Sequence, residues 1–408
     1  MPRVAVTGIG LLSPLGLDAE SFWQGLLAGR SGVDFITEFS TEKLRTDIAA
    51  SVRGFDPKSV LEPRELDYTG RVVQLGLAAA NEALGQARLG DVDKTRVAVL
   101  VSSGQGAVEI FEEQVQRAAA RGPRAVSPYF IPSAMPNALA ALISTKHGFM
   151  GATFNVASAC ATSTHSIALG ALLILSGDAD VVVAGGGEAA TCPNTIAGFG
   201  NARALAKSYQ GDPKRASRPF DKERNGFVIG EGAGALVLES EAHAARRGAQ
   251  PLSWLRGWGM SSDAEHVTRP HPEGLGLKLA IEAALRRAEI APGDVGYLNP
   301  HATSTPAGDV AEYKALTAAF GDALRRVPIS ATKSMIGHLL GGAGAAEAIA
   351  CVCSLRDQKL HPSINVDELD PIFDIDLVRE ARSADVRYAL KTSAGFGGHN
   401  CALVFERA

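Results

Sequence analysis

Cysteine is scarce: Cys160, Cys192, Cys351, Cys353 and Cys401 are the only five in 408 residues. An odd number without CxxC spacing excludes a disulfide-stapled scaffold and a zinc ribbon, so no metal site is expected and each thiol is core filler or chemistry. An excess of either charge is missing too. Basic side chains number 40 against 44 acidic ones, a net charge of −4, which leaves no electrostatic footprint for duplex nucleic acid or an anionic membrane. Any basic patch must be local. No run of 18 apolar residues occurs, and MPRVAVTGIGLLSPLG holds no apolar stretch of signal-peptide length before Gly8. Neither a membrane span nor export is expected, and a reducing cytoplasm is the default.

Apolar residues make up 46% of the chain and charged ones 21%, ample material for one large core or two fused ones. Dividing the length by roughly 150 residues per domain gives about 2.7, which fits two equivalent halves of one enzyme. Glycine is the compositional excess, at 44 of 408 residues against a usual share of roughly 7%. Two of these glycines form a decoy. Gly8-Ile9-Gly10 follows a strand-like run, but the third glycine of a dinucleotide fingerprint is absent and Pro14 stands where the phosphate-binding helix should run. Both glycines are read as turn formers.

Short β-branched runs start at Arg3, Arg96, Asp180, Val295 and Arg387, with helical spacing between them from Arg71 and from Gly276. That alternation predicts an α/β fold. Two segments, SIALGALLILS from Ser166 and GAGAAEAIACVCSL from Gly342, are apolar or small on every face and should be enclosed on all sides. The halves echo each other: GAGALVLE ending at Glu239 and HNCALVFE ending at Glu406 each follow a glycine-rich turn and are expected to close a strand hairpin. Duplication of one unit is the reading, with units 1–250 and 251–408 and a seam near Arg247 to Pro251.

Cys160 lies in NVASACATSTHSIALGALLILS, where an extended stretch gives way to the first enclosed helix. A thiol at a helix N-terminus faces unsatisfied N–H groups and the macrodipole, which should move its pKa down from about 8.5. Those N–H groups also suit an oxyanion. His301 in LNPHATSTPAGD and His338 in TKSMIGHLLGG sit in small-residue loops after strands, and Lys333 lies five residues before His338. A buried cation beside two imidazoles favours their neutral forms. By contrast His243, His271 and His361 read as exposed helix or loop residues, and His147 as a helix end.

Assembled, ACATS around Cys160, RPFDKERNGFVIGEGAGALVLE from Arg218, HATSTPAGD from His301, TKSMIGHLLG from Thr332 and GFGGHN from Gly395 resemble the elongating β-ketoacyl-acyl-carrier-protein synthases of the thiolase superfamily, type II above all. The resemblance covers essentially the whole chain. It implies a five-layer αβαβα sandwich of duplicated halves, with the two enclosed helices in the middle layer. It further implies that Cys160 carries an acyl chain as a thioester, and that His301 and His338 donate to the malonyl thioester oxygen during decarboxylation. Two histidines, rather than Asn or Cys at one position, mark an elongating rather than a priming enzyme. By the same resemblance the N–H groups of Cys160 and Phe396 hold the oxyanion, and Lys333 and Glu347 order the site. Thr303, Thr305 and Thr268 would bind the pantetheine, and Phe396 and Phe227 would gate the acyl pocket. No cofactor is bound by the enzyme, since substrates arrive on the phosphopantetheine of an acyl carrier protein. For that acidic partner Arg64, Arg121, Arg124, Arg203 and Lys207 are candidate rim residues. Relatives are dimers, so the partner chain is an identical copy or a chain-length-factor homologue.

Three positions depart from the family pattern: Gln105 in the acyl pocket, Ala394 in the gate loop and Ala302 after His301. A polar amide and a wider gate favour, as the alternative, the ketosynthase subunit of a type II polyketide synthase that builds an unsaturated or polyene chain. A non-catalytic chain-length subunit is disfavoured because the nucleophile and its partners are all present. A cysteine hydrolase would explain neither His338 nor the enclosed helix.

Overall fold

The computed structural model describes residues 3–408. Its main sheet has ten strands. In the first half these are β1 Val4–Leu12, β2 Val97–Ser102, β3 Val181–Glu188 and β4 Gly232–Ser240. In the second half they are β5 Ser253–Ser262, β6 Val295–Asn299, β7 Pro328–Ile329, β8 Asp376–Leu377, β9 Tyr388–Gly395 and β10 His399–Arg407. The order across the sheet is β8-β7-β6-β9-β10-β5-β1-β4-β3-β2. Read outward from the join, the first half runs first, fourth, third, second strand, and β5-β10-β9-β6 repeats that order. The directions repeat as well: antiparallel, antiparallel, then parallel. Such correspondence is what a duplicated unit produces. Within this sheet the halves join where Val4–Val6 of β1 pairs with Ser253–Leu255 of β5.

Six helices complete the layers. Helix α1, Arg71–Ala87, covers the outer face of β1 and β4, and α4, Leu275–Ala288, covers β5 and β10. Between α1 and α4 in chain order come α2, Val108–Arg121, and α3, Thr162–Leu175. After them come α5, Pro306–Phe320, and α6, Ala343–Asp357. Helices α3 and α6 pack on each other and touch strands of both halves, which makes them the middle layer. Strand residues alternate accordingly. Ala98 and Leu100 turn inward to the central core with Ile167, Ala168 and Ile349, while Val97, Val99 and Val101 turn outward to a cluster shared by Leu139, Ile143 and the buried face of α1, as period-two side chains must in a sheet buried on both faces.

Three expectations need correction. Gly8 and Gly10 form no turn: they lie within β1, where an added Cβ would sit 2.1 Å from Ala83 O and 2.1 Å from Ala79 O of α1. Helix and strand approach so closely only because those side chains are missing. Gly257 and Gly259 do the same for α4 on β5, at 2.3 Å from Ala284 O and 1.9 Å from Ala280 O. Next, β9 and β10 form a true hairpin, but β3 and β4 pair across an excursion, residues 189–231, which contributes Phe199, Arg203 and Phe227 to the site. Finally, α6 is buried from Ala343 through Leu355, whereas α3 ends with Leu172 37% and Leu175 39% exposed. One face of its second half is therefore not enclosed by this chain, although Ala171 and Ile174 there are buried. Among the described residues, no helix is long and apolar enough to cross a membrane.

Candidate active site

Cys160 sits in a single tight turn, Ala159–Ala161, that runs directly into α3. Ala159 adopts a φ of 48°, the left-handed region that a side chain disfavours. This kink aims the sulfur away from the helix axis, back toward the second half. There the β9–β10 turn approaches so closely that a Cβ on Gly395 would lie 2.8 Å from Ser158 O and 3.2 Å from Cys160 N. As a result the N–H groups of Phe396 and of Cys160 itself both point at the sulfur.

His301 follows β6 in a loop whose next residues, Ala302 and Ser304, have φ of 36° and 69°. Glu312 of α5 holds this strained loop: its carboxylate accepts from His301 N and Ala302 N, both at 2.7 Å, and from Thr392 Oγ1 at 2.7 Å. One turn earlier Asp309 accepts from Ser304 N at 3.1 Å and Phe220 N at 2.9 Å. Neither acid was a candidate from sequence. The signal was two carboxylates three residues apart facing inward on one helix.

His338 follows Gly337, whose φ is 65°, and donates its backbone N–H to Val228 O at 2.7 Å. The two imidazoles meet edge to face with centroids 5.2 Å apart. The ring nitrogens of both and the Cys160 sulfur all lie within 4.8 Å of one another. Leu340 N–H donates to His338 Nδ1 at 3.2 Å, which assigns the ring proton to Nε2. No protein group among the described residues accepts from that Nε2. Lys333 Nζ lies 3.4 Å from His301 Nδ1 and donates to His301 O at 2.6 Å, which likewise leaves Nε2 of His301 as the donor. Burial, reinforced by Lys333, pushes both imidazoles well below the usual histidine range, so each is neutral, as expected for this neighbourhood.

The thiol behaves differently from expectation. Burial pushes Cys160 up to about 11, and neither the Lys333 ammonium nor the Phe396 N–H offsets it. At rest Cys160 is a thiol. A helix terminus acts within one turn and stabilises an anion by typically 0.3–1 kcal/mol, too little to offset removal of the sulfur from water.

A cavity of about 700 Å³ joins this cluster to the surface. Gln105, Ala394, Phe227, Phe396, Thr268, Thr303 and Thr305 all line it. Thr303 and Thr305 touch through their hydroxyls at 3.0 Å. Phe227 packs on His338 with centroids 5.3 Å apart, and Phe199 bridges Phe227 to Phe396 at 5.3 and 6.2 Å. Phe199 is an aromatic the sequence reading passed over. Lys333 and Glu347 form a fully buried ion pair behind His301 rather than in the cavity wall. Of the basic rim candidates only Arg203 lines the cavity, accompanied by Arg269; Arg64, Arg121, Arg124 and Lys207 are exposed elsewhere.

Glu188, at the end of β3, also lines the wall. It accepts from Ser103 Oγ at 2.6 Å and from the N–H groups of Gly104, Gln105 and Gly341 at 3.1, 3.2 and 3.2 Å. Burial nevertheless raises it to about 7. His361, expected to be exposed, is wholly buried. Its Nε2 lies 3.0 Å from Tyr297 Oη and 3.1 Å from Thr332 Oγ1, beneath the Lys333 turn. Burial lowers it to about 4.

Models of two families match: the β-ketoacyl synthase N-terminal domain over residues 1–244 and its C-terminal domain over residues 252–367. The chain belongs to the β-ketoacyl synthase family. It is 44% identical over 410 residues to a 3-oxoacyl-[acyl-carrier-protein] synthase 2 of Vibrio cholerae, covering 99% of each chain. A protein of the same name from Staphylococcus aureus is 42% identical over 408 residues, covering 99% of this chain and 98% of the relative. Among solved ketosynthases, the ishigamide ketosynthase/chain length factor superposes with a TM-score of 0.93 at 33% identity, covering 100% of this chain and 99% of that one. A type II polyketide ketosynthase in complex with its acyl-carrier protein (AntDE:AntF) does so with a TM-score of 0.93 at 30% identity, over the whole of both chains. The thiolase-like layering expected from sequence is thus the fold of this β-ketoacyl synthase.

Proposed function

We propose that the chain elongates acyl chains by decarboxylative condensation with malonyl-acyl carrier protein, as in fatty-acid-type synthesis. The observation that carries this reading is the convergence of one thiol and two neutral Nε2–H donors at the inner end of the cavity. Cys160 attacks the incoming acyl thioester; its proton leaves on the departing pantetheine sulfur, and the acyl group stays on Cys160. Neither imidazole is needed as the base, since both Nδ1 atoms are already engaged. Malonyl thioester then presents its oxygen to Nε2–H of His301 and His338. As carbon dioxide departs, the C–C electron pair becomes an enolate held by those two donors. The enolate carbon attacks the acyl carbonyl, and the N–H groups of Cys160 and Phe396 hold the tetrahedral oxyanion. That attack forms the new C–C bond; collapse then re-forms the ketone carbonyl, breaks the bond to the Cys160 sulfur and releases it as a thiolate, which regains a proton.

Lys333, Glu347 and Glu312 position this apparatus. Thr303, Thr305 and Thr268 receive the pantetheine amides, and Phe396 with Phe227 and Phe199 separates the arm from the acyl chain. The partner is an acyl carrier protein approaching at Arg203 and Arg269, in the cytoplasm, with a second ketosynthase-like chain completing a dimer. We take residues 1–250 and 251–408 as the two units. The test is incubation with an acyl-carrier thioester followed by mass analysis. A stable acyl adduct on the Cys160 peptide is expected; rapid release of free acid would mark a hydrolase instead.

Gln105 and Ala394 favour a second reading for substrate choice, that of a type II polyketide ketosynthase handling an unsaturated chain. Gln105 is exposed to the cavity and Ala394 leaves open space beside Phe396. Turnover of saturated against polyenoyl carrier thioesters decides: preference for the saturated chain removes this alternative.

A further inference from the structure

Glu347 faces two ammoniums rather than one. Lys333 binds Oε1, and Lys391 of β9 lies 2.8 Å from Oε2. None of the three side chains is more than 1% exposed. Nothing in the proposed reaction uses Lys391. Its Nζ also donates to Thr392 O at 2.6 Å and to Ser393 Oγ. Ser393 Oγ in turn meets Thr164 Oγ1 of α3 at 2.8 Å, one turn from Cys160. Thr392, between them, donates to the Glu312 carboxylate that holds His301. Three consecutive residues of β9 therefore reach the nucleophile's helix, the His301 loop and the Lys333–Glu347 pair.

Lys333 and Glu347 make a neutral pair; Lys391 adds one positive charge to that pair, while the Glu312 carboxylate faces the His301 backbone from the other side. We propose that Lys391 is a positioning residue for the condensation. By placing its ammonium beside the second oxygen of Glu347 it adds a positive charge behind the imidazoles, and this charge keeps His301 and His338 neutral with their Nε2–H groups free for the malonyl oxygen. The proposal rests on the condensation reading above. The groups facing the imidazoles are Lys333, Lys391, Glu347, Glu312, Cys160 and Glu188, and beside Lys391 lie the thiols of Cys351 and Cys401, which burial keeps protonated. Burial is the largest influence lowering both imidazoles, and Lys333 and Lys391 lower each of them further.

The experiment is the pH profile of malonyl-acyl carrier protein decarboxylation in a Cys160→Gln background, where no thiol contributes. Loss of a nearby cation raises the imidazole pKa, so Lys391→Met should move the acid limb upward by about one pH unit. Adding Glu347→Gln restores the net charge of the cluster and should return the limb toward its starting position. A folded Lys391→Met protein whose limb stays in place overturns the proposal, whatever its rate. Lys391→Gln serves if the methionine variant does not fold. Failure of both to fold while Lys391→Arg folds assigns Lys391 to stability alone and overturns the proposal as well. If the Cys160→Gln parent itself decarboxylates nothing, the condensation reading falls, and the proposal with it.

Discussion

At the scale of single residues, the balance at Cys160 is decided by burial. Displacement from the usual thiol range up to about 11 corresponds to about 3 kcal/mol, several times what a helix terminus returns. Alkylation of Cys160 by iodoacetamide should therefore keep rising from pH 7 to pH 9; a rate already level at pH 7 would mean a resting thiolate. His361 gives a stability prediction. Folded, its pKa is about 4, below the unfolded value near 6.5, so the unfolded chain takes up the proton first. Its contribution is complete above pH 6.5 and is lost as pH falls toward 4. The stability gap between the wild type and His361→Gln, read from urea denaturation, should shrink by about 3 kcal/mol across that window. An unchanged gap would place a charged imidazole in the fold. Cys160, His301 and His338 were legible because small-residue loops between strands and helices leave few other uses for such side chains. Glu312, Lys391 and His361 were not, because each sits in an ordinary helix or strand context and acquires its role only from what folds against it.

At the scale of elements, two faceless apolar helices marked the middle layer, and β-branched runs marked β1, β2, β3, β6 and β9, whereas β5, Ser253–Ser262, the longest strand, carries no such run. Missing from the sequence reading was why particular glycines occur. Gly344 of α6 lies against α3, where a Cβ would meet Thr164 Oγ1 at 2.0 Å. Gly344→Ala should force the central helices apart and cost about 1–3 kcal/mol, together with activity, because Thr164 lies one turn from Cys160. Gly85 of α1 has nothing within 4 Å of its Cβ position, so Gly85→Ala should raise the melting temperature, gaining up to about 1 kcal/mol. Differential scanning calorimetry of the two variants checks both directions. The hairpin expected before Glu239 failed for a related reason. Strand pairing is visible in a hydrophobic pattern, but the length of chain inserted between partners is not.

At the scale of the whole molecule, duplication divides the chemistry. The first half supplies the thiol and the second supplies both imidazoles, so the site exists only where the halves face each other. Leu172 and Leu175, left exposed at the end of α3, give an apolar surface suited to a second chain. Light scattering should find about twice the 42.5 kDa chain mass, and Leu172→Glu/Leu175→Glu should return it to one. A wild type that runs as a monomer would remove the dimer from the account. The central claim is that two neutral imidazoles stabilise the enolate while the thiol only carries the acyl chain. Release of carbon dioxide from malonyl-acyl carrier protein by Cys160→Gln, with and without His338→Ala, tests it most directly. The account predicts sustained release from the first variant and a loss of roughly 100-fold or more on adding the second. Equal release from both would contradict it.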